Sequence, residues 1–178
     1  MKKIIILISI PILLTLLIVL FSSSEERNAQ KIAKKFGKEL NTVDLKKIDN
    51  YKDIISDGIL QPNVEKMNSN DKILKSLMTE DGYNSIVKNR LNIINAEICE
   101  TGDFTMQVTD LTLSKNVYNI KENKAGYNFQ AKLKFIENKD KSEHKDYWEG
   151  YIGLSKENGK WKVTTYKVNI LPRLKNRY

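Results

Sequence analysis

The sequence predicts an α+β domain behind an N-terminal membrane helix. Residues 4–21 are apolar except for Ser9, Pro11 and Thr15, and Lys2 and Lys3 precede them. From Ser23 to Thr101 apolar residues recur at helical spacing, and after Gly102 the period changes to alternation. Helices grouped ahead of strands imply several helices packed on one concave face of a curved sheet, with about four antiparallel strands in meander order.

The apolar run is long enough to matter. At 1.5 Å per residue, residues 4–21 extend roughly 27 Å, close to the hydrocarbon thickness of a bilayer. Its Ile, Leu, Val and Phe residues favour insertion by about 0.3 to 0.6 kcal/mol each, which outweighs a kink cost of about 3 kcal/mol at Pro11. Lys2 and Lys3 place residues 1–3 in the cytoplasm and residues 22–178 outside, giving a single-pass chain with its N-terminus in. Ser22 and Ser24 are small enough for signal-peptidase cleavage before Glu25, which would give a secreted or envelope-attached protein. Signal-peptide cores are shorter than this run, so a retained anchor in the cell membrane is the expectation.

Ser23 and Glu26 form a capping-box pattern opening a helix with Ala29, Ile32, Ala33, Phe36 and Leu40 on one stripe. Lys31, Lys34, Lys35 and Lys38 share its other side, a solvated face that could also meet lipid headgroups. A second helix is expected from Thr42 as N-cap through Leu45, Ile48, Tyr51 and Ile55 to a stop at Gly58, before Pro62. Residues 61–70 read as a loop. Asp71 should cap a helix with Ile73, Leu74, Leu77 and Met78, broken at Asp81-Gly82, and one further helix should carry Tyr83, Ile86, Val87, Leu91 and Ile94.

In the strand half, Phe104, Met106 and Val108 have one parity and Leu111 and Leu113 the other, so a bulge is expected near Thr109-Asp110. A polar turn over residues 122–126 precedes a regular strand in which Tyr127, Phe129, Ala131, Leu133 and Phe135 alternate with polar residues. Residues 138–146 form a charged loop. The last two strands declare themselves most clearly, because Asn158-Gly159 tolerates the positive φ angles of a two-residue hairpin turn. Such a loop would set Leu154 opposite Val163, Ile152 opposite Thr165, Tyr151 opposite Tyr166 and Trp148 opposite Asn169. One face would then carry Trp148, Ile152, Leu154, Trp161 and Val163, the other Tyr147, Tyr151, Tyr166, Val168 and Ile170. Two apolar faces imply that each is covered, or that one lines a cleft; the tail, residues 171–178, or a partner could supply the second cover.

Composition bounds the chemistry. The chain has 178 residues and a net charge of +8; without Lys2 and Lys3 the balance is 28 basic against 22 acidic side chains, spread along the chain. That pattern suits a solvated surface, and no nucleic-acid partner is expected. Lys, Asn and Ile dominate over Arg, Ala and Gly, as in AT-rich bacterial coding. Cys99 is the single cysteine, so no intramolecular disulfide can form; it is expected as a small buried thiol. His144 sits among Ser142, Glu143 and Asp146 in a charged turn without a second histidine, so no metal site is expected. No phosphate-binding glycine loop, serine-nucleophile elbow or zinc-binding helix motif is present, and no cofactor is expected.

The helical half followed by YNFQAKLKFIE, a charged turn and YWEGYIGLSKENGKWKVTTYKVN resembles the nuclear transport factor 2-like superfamily, also called ketosteroid-isomerase-like or SnoaL-like. Residues 159–168, GKWKVTTYKV, look like its closing strand. A cystatin-like sheet with another helix arrangement remains the alternative. Members with one membrane helix and an exocytoplasmic domain are assembly subunits of type IV secretion and conjugation machines, or small anchored proteins of Gram-positive bacteria. The resemblance therefore implies a non-catalytic interaction or assembly module with other envelope proteins as partners. Catalytic members place an acid or base with a tyrosine inside the cone, and no such residue transfers by motif. The strand residues nearest to that chemistry are Asp110, Glu149, Tyr118, Tyr151 and Tyr166, with Trp148, and they define a possible pocket or interaction surface. A small-ligand-binding or enzymatic cone is the alternative function, its ligand unspecified.

Overall fold

The computed structural model describes residues 23–55 and 71–169. The expected membrane segment, helix stop at Gly58 and loop 61–70, with Ile170 and residues 171–178, lie outside the described residues. Among the described residues, no helix is long and apolar enough to cross a membrane.

Among the described residues five helices precede four strands. Helix α1 spans residues 23–41, α2 Leu45–Ile55, α3 Lys72–Leu77, α4 Glu80–Lys88 and α5 Ile94–Thr101. They are followed by β1 Phe104–Asn119, β2 Lys124–Glu137, β3 Glu143–Glu157 and β4 Lys160–Asn169. The sheet is an antiparallel meander in the order β1-β2-β3-β4. The α+β architecture expected from the helix-then-strand order is the one observed.

The α1 stripe is as the spacing requires: Ala29, Ala33, Phe36 and Leu40 are buried and Ile32 packs against them. Glu26, expected to reach back to Ser23, instead meets Lys115 Nζ of β1 at 3.0 Å, and residue 23 is already helical. Helix α2 is capped by Asp44, whose Oδ1 accepts from the Lys47 amide at 2.9 Å, rather than by Thr42. The reason is that Val43 pairs with Met106 of β1 through two backbone hydrogen bonds of 2.7 and 2.9 Å, so the helix can start only after it. Asp71 precedes α3, but its carboxylate makes no cap bond; it turns inward to Asn92 and Tyr83.

Two breaks fall elsewhere than the sequence predicts. The chain leaves α3 at Met78, which bridges Val163 of β4, and Thr79 caps α4 by accepting from the Gly82 amide at 3.1 Å. Gly82 therefore lies inside the first turn of α4 instead of ending a helix. A β-carbon there would stand 2.8 Å from the Val163 carbonyl oxygen, so this glycine lets α4 dock on β4. The stripe from Tyr83 to Ile94 belongs to two helices, because Arg90 adopts φ 58° and separates α4 from α5.

Both edges of the sheet are partly closed by helix links, Val43 on β1 and Met78 on β4, which limits edge-to-edge association. The bulge expected near Thr109-Asp110 is present, since Val108 pairs with Leu133 and Asp110 with Lys132. The turns are shorter than the residue types suggest: β2 already begins at Lys124 and β3 at Glu143. Asn158 and Gly159 have φ 48° and 76°, as the two-residue hairpin requires.

The hairpin register departs from expectation halfway along. Leu154 faces Val163, but Gly153 faces Thr165, leaving Thr164 as an extra residue on β4. Beyond that bulge Ile152 faces Tyr166, Tyr151 faces Lys167 and Glu149 faces Asn169. One extra residue turns every following side chain to the other face. Tyr166 and Val168 thus join Trp148, Ile152 and Leu154 on the helix side, and of the described residues of the second face only Tyr147 and Tyr151 remain opposite. The hairpin accordingly has one apolar face and one largely polar face, and the expectation of two apolar faces is corrected.

The core lies between the helices and this single sheet face. Trp148, Tyr127, Phe36, Met106, Leu133 and Ile152 are its largest fully buried side chains. Each such aliphatic or aromatic group contributes roughly 1.5 to 3 kcal/mol by leaving water. Cys99 is buried there as well, and burial pushes its thiol up to about 12. At pH 8 only roughly one part in ten thousand of such a thiol is thiolate, so Cys99 is expected to resist alkylation in the native chain. Thiol labelling with and without denaturant checks this, and fast native labelling would contradict the buried position.

Candidate functional site

The residues singled out from the sequence do not meet in one place. Tyr166 and Trp148 are inside, under the helices. Tyr118 lies at the β1 end of the sheet, its ring centroid 6.2 Å from that of Trp161. Asp110, Glu149 and Tyr151 are on the opposite, outer face. Asp110 is 3.6 Å from Lys132 Nζ, and Glu149 accepts from Gln130 Nε2 at 2.9 Å. The pairing of Tyr151 with Tyr166 is lost because the Thr164 bulge sends the two rings to different faces.

The interior, where a cone of this kind could hold a ligand, is occupied by side chains. Tyr166 stacks on Phe129 with ring centroids 5.7 Å apart and meets the edge of Phe36 at 5.4 Å. Its hydroxyl donates to Asn41 Oδ1 at 3.1 Å. Asn41 also accepts from Asn95 Nδ2 at 3.1 Å and donates to the Gly37 carbonyl at 2.9 Å, while Asn95 donates to the Leu40 carbonyl at 3.1 Å. All three polar side chains are buried, and burial raises the Tyr166 pKa far above that of a free phenol. A closed network of neutral amides and a protonated phenol positions α1, α5 and β4 against one another. It offers neither a carboxylate nor an imidazole to a substrate.

Asn41 and Asn95 were not legible as partners. An asparagine near the end of a helical stripe reads as a capping or surface residue, and only the tertiary fold brings it opposite a tyrosine 125 positions away.

A second polar cluster lies between the helices. Asp71 Oδ2 accepts from Asn92 Nδ2 at 2.6 Å and from Tyr83 at 3.3 Å, beside a cavity of about 60 Å³. Desolvation raises its pKa, against these hydrogen bonds. Lys47 Nζ, on the same cavity wall, is 3.0 Å from Glu39 Oε1 and donates to the Thr42 carbonyl at 2.8 Å.

The outer face carries a groove of about 590 Å³ lined by Thr112, Gln130, Glu149, Tyr151, Lys167 and Asn169, among others. The Tyr151 ring lies across the glycine pair Gly126 and Gly153, which face each other on β2 and β3. The groove is open to solvent and mixed in charge, a surface for another molecule to lie on.

The end of the sheet carrying the β1–β2 and β3–β4 turns is tied to the start of α1. Glu25 Oε2 accepts from Lys156 Nζ at 2.7 Å and from Trp161 Nε1 at 3.0 Å. The Lys156 hydrogen bond chiefly holds the Glu25 carboxyl below its ordinary value of 4.5, against partial desolvation and helped by Trp161. A depressed folded-state pKa means that this stabilisation is complete above about pH 4.5 and is lost as pH falls through the lowered value. Acidification is therefore expected to release the start of α1 from Trp161, read as a change in tryptophan fluorescence, and the step should vanish in Glu25→Gln. Lys31, Lys34, Lys35 and Lys38 are exposed on α1, as their spacing implies. No group of three or more potential metal ligands occurs among the described residues.

No protein-family model and no curated protein sequence matches the chain. Among solved structures it is similar to an IcmL-like type IV secretion system protein from Legionella pneumophila, with TM-score 0.51 and 13% identity over 78% of this chain and 87% of that one. It is also similar to the periplasmic domain of DotI, with TM-score 0.47 and 9% identity over 78% and 91% of the chains. An NTF2-like superfamily protein from Salmonella enterica gives TM-score 0.39 and 13% identity over 68% and 91%. The fold, with helices gathered on one face of an open four-stranded meander, is NTF2-like.

Proposed function

We propose that this NTF2-like chain is a single-pass membrane protein whose exocytoplasmic domain is a non-catalytic interaction and assembly module, of the kind a type IV secretion or conjugation apparatus uses. The observation that carries the reading is the placement of its polar groups. The cone interior is filled by Phe36, Phe129 and Tyr166 and closed by Asn41 and Asn95, while a broad open groove lies on the outer sheet face. An interior built this way holds elements together, and an outer face built this way receives a partner. The fold shared with the Legionella secretion-system protein supports the same reading, and residues 4–21 supply the anchor.

A photocrosslinking residue in place of Tyr151, introduced in the full chain in its native membranes, tests it. A discrete adduct with another envelope protein is expected, and a strictly monomeric, partnerless chain would overturn the assembly role. Retention in the membrane fraction after alkaline carbonate washing is expected for a kept anchor; release would indicate cleavage before Glu25.

The second reading is a small-ligand site in the outer groove, where Glu149 and Tyr151 share one face of β3 with Lys167 opposite. It predicts a saturable shift in thermal stability with a small anionic or hydroxylated compound, lost in Tyr151→Ala.

A further inference from the structure

We infer that the tip formed by the β1–β2 turn rests on the anionic surface of the membrane, a second lipid contact beyond the anchor; this rests on the reading of residues 4–21 as a membrane helix.

Three observations converge on the tip. The bulge at Asn116, between Lys115 paired with Tyr127 and Val117 paired with Gly126, reverses the strand's parity. Val117 is left 48% exposed and Ile120, in the turn, 36%. Residues 115–124 carry Lys115, Lys121 and Lys124 against Glu122; Lys115 is paired with Glu26 on the helix side and Lys124 with Glu122. The adjoining β3–β4 turn, held to the first by the hydrogen bond from the Lys156 amide to the Asn123 carbonyl at 2.9 Å, repeats the imbalance. Its residues 156–162 hold three lysines and one glutamate, whereas residues 137–143, at the other end of the sheet, hold two lysines and three acids. Exposed apolar side chains with lysines in the same two turns suit an interface of anionic headgroups over acyl chains, and Glu25 and Glu26 at the start of α1 already pair with Lys156 and Lys115.

The third observation is distance. Helix α1 runs antiparallel to β1, because Glu26 meets Lys115 while Val43 meets Met106. Its first described residue, Ser23, is two residues from the apolar segment, a span of at most roughly 7 Å. Measured from the level of the Glu26–Lys115 pair, Ser23 lies about 4.5 Å further along α1. Asn119 at the end of β1 lies about 13 Å further along the strand in the same direction. The tip thus projects past the start of α1 by about as much as the linker to the membrane segment can extend. A domain tethered at Ser23 presents the tip at headgroup level, while Lys34, Lys35 and Lys38 climb away along α1. The lysine face of the helix, which the sequence offered as a headgroup contact, is on this geometry the lesser one.

Hydrogen exchange of the full chain in lipid nanodiscs tests this, comparing phosphatidylcholine alone with phosphatidylcholine plus phosphatidylglycerol. Exchange over residues 117–124 is expected to slow several-fold on the anionic discs. The double substitution Ile120→Ser and Lys121→Glu should abolish the difference, while Lys34→Glu with Lys35→Glu should leave it. Equal exchange at the tip on both lipids, including equal protection by another protein copy, would overturn the contact while leaving the anchor in place. Protection appearing on α1 instead would overturn it too. A chain that fails to enter the discs at all would overturn the anchor reading first and this one with it.

Discussion

Replacing Gly150 by alanine is expected to destabilise the domain by roughly 3 kcal/mol or more, lowering its melting temperature by about 6 to 12 °C. Gly150 sits in β3 between Phe129 of β2 and Val168 of β4. A β-carbon at this position would stand 2.0 Å from the Lys167 carbonyl oxygen and 2.6 Å from the Phe129 ring. Neither neighbour can give way cheaply. The carbonyl belongs to the β3–β4 ladder, and the Phe129 ring is stacked on Tyr166, which is tied to Asn41. Gly126 supplies the contrast. There the β-carbon would meet only the end of the Tyr151 side chain, at 2.2 Å, and that ring can swing into the open groove. Gly126→Ala should therefore cost much less, and the cost should fall further when Tyr151 is also replaced by alanine. Thermal melts of the three variants check the order; equal losses for Gly150→Ala and Gly126→Ala would contradict the packing described.

The same residues explain what could be read from the chain and what could not. The Asn158-Gly159 turn and the β1 bulge were legible because each leaves a local mark, a dipeptide suited to positive φ in one case and a change of hydrophobic parity in the other. The bulge at Thr164 leaves none. In Val163-Thr164-Thr165-Tyr166 both threonines fit either face of a strand, and parity alone would place Tyr166 with Tyr151. What decides is tertiary: Met78 and Thr79 bind the backbone of Val163, and Phe36 and Phe129 take the Tyr166 ring. Gly82 was misread for a similar reason, since a glycine that ends a helix and one that lets a helix touch a strand look alike in sequence. The lysine face of α1 needed only period. The polar interior needed contacts between segments 54 to 125 residues apart, which no local pattern encodes.

Where the interior is held by few polar contacts, each should be strongly coupled to its neighbours, and Asn41 is the strongest case. Asn41→Leu keeps the branched skeleton but removes the acceptor for Tyr166 and Asn95 and the donor to Gly37. The Tyr166 hydroxyl is then buried without a partner, whereas Asn95 keeps its bond to the Leu40 carbonyl. With each orphaned buried group costing about 1 to 3 kcal/mol, a loss of roughly 3 kcal/mol is expected. Tyr166→Phe alone should cost only about 1 kcal/mol, because Asn41 Oδ1 still accepts from Asn95. In the double variant no hydroxyl is left stranded, so the combined loss should fall short of the sum by about 1 kcal/mol or more. Strict additivity in denaturant melts would mean that the Tyr166–Asn41 bond does not hold the fold. Asn41→Asp separates charge from shape. The carboxylate keeps both accepted bonds but is desolvated and faces the Gly37 carbonyl, so its folded pKa rises above the unfolded value. The sign follows: the protonated side chain is tolerated, stability declines as pH rises from about 4 toward the raised pKa, and the variant should be more stable near pH 4 than near pH 7 relative to the parent chain.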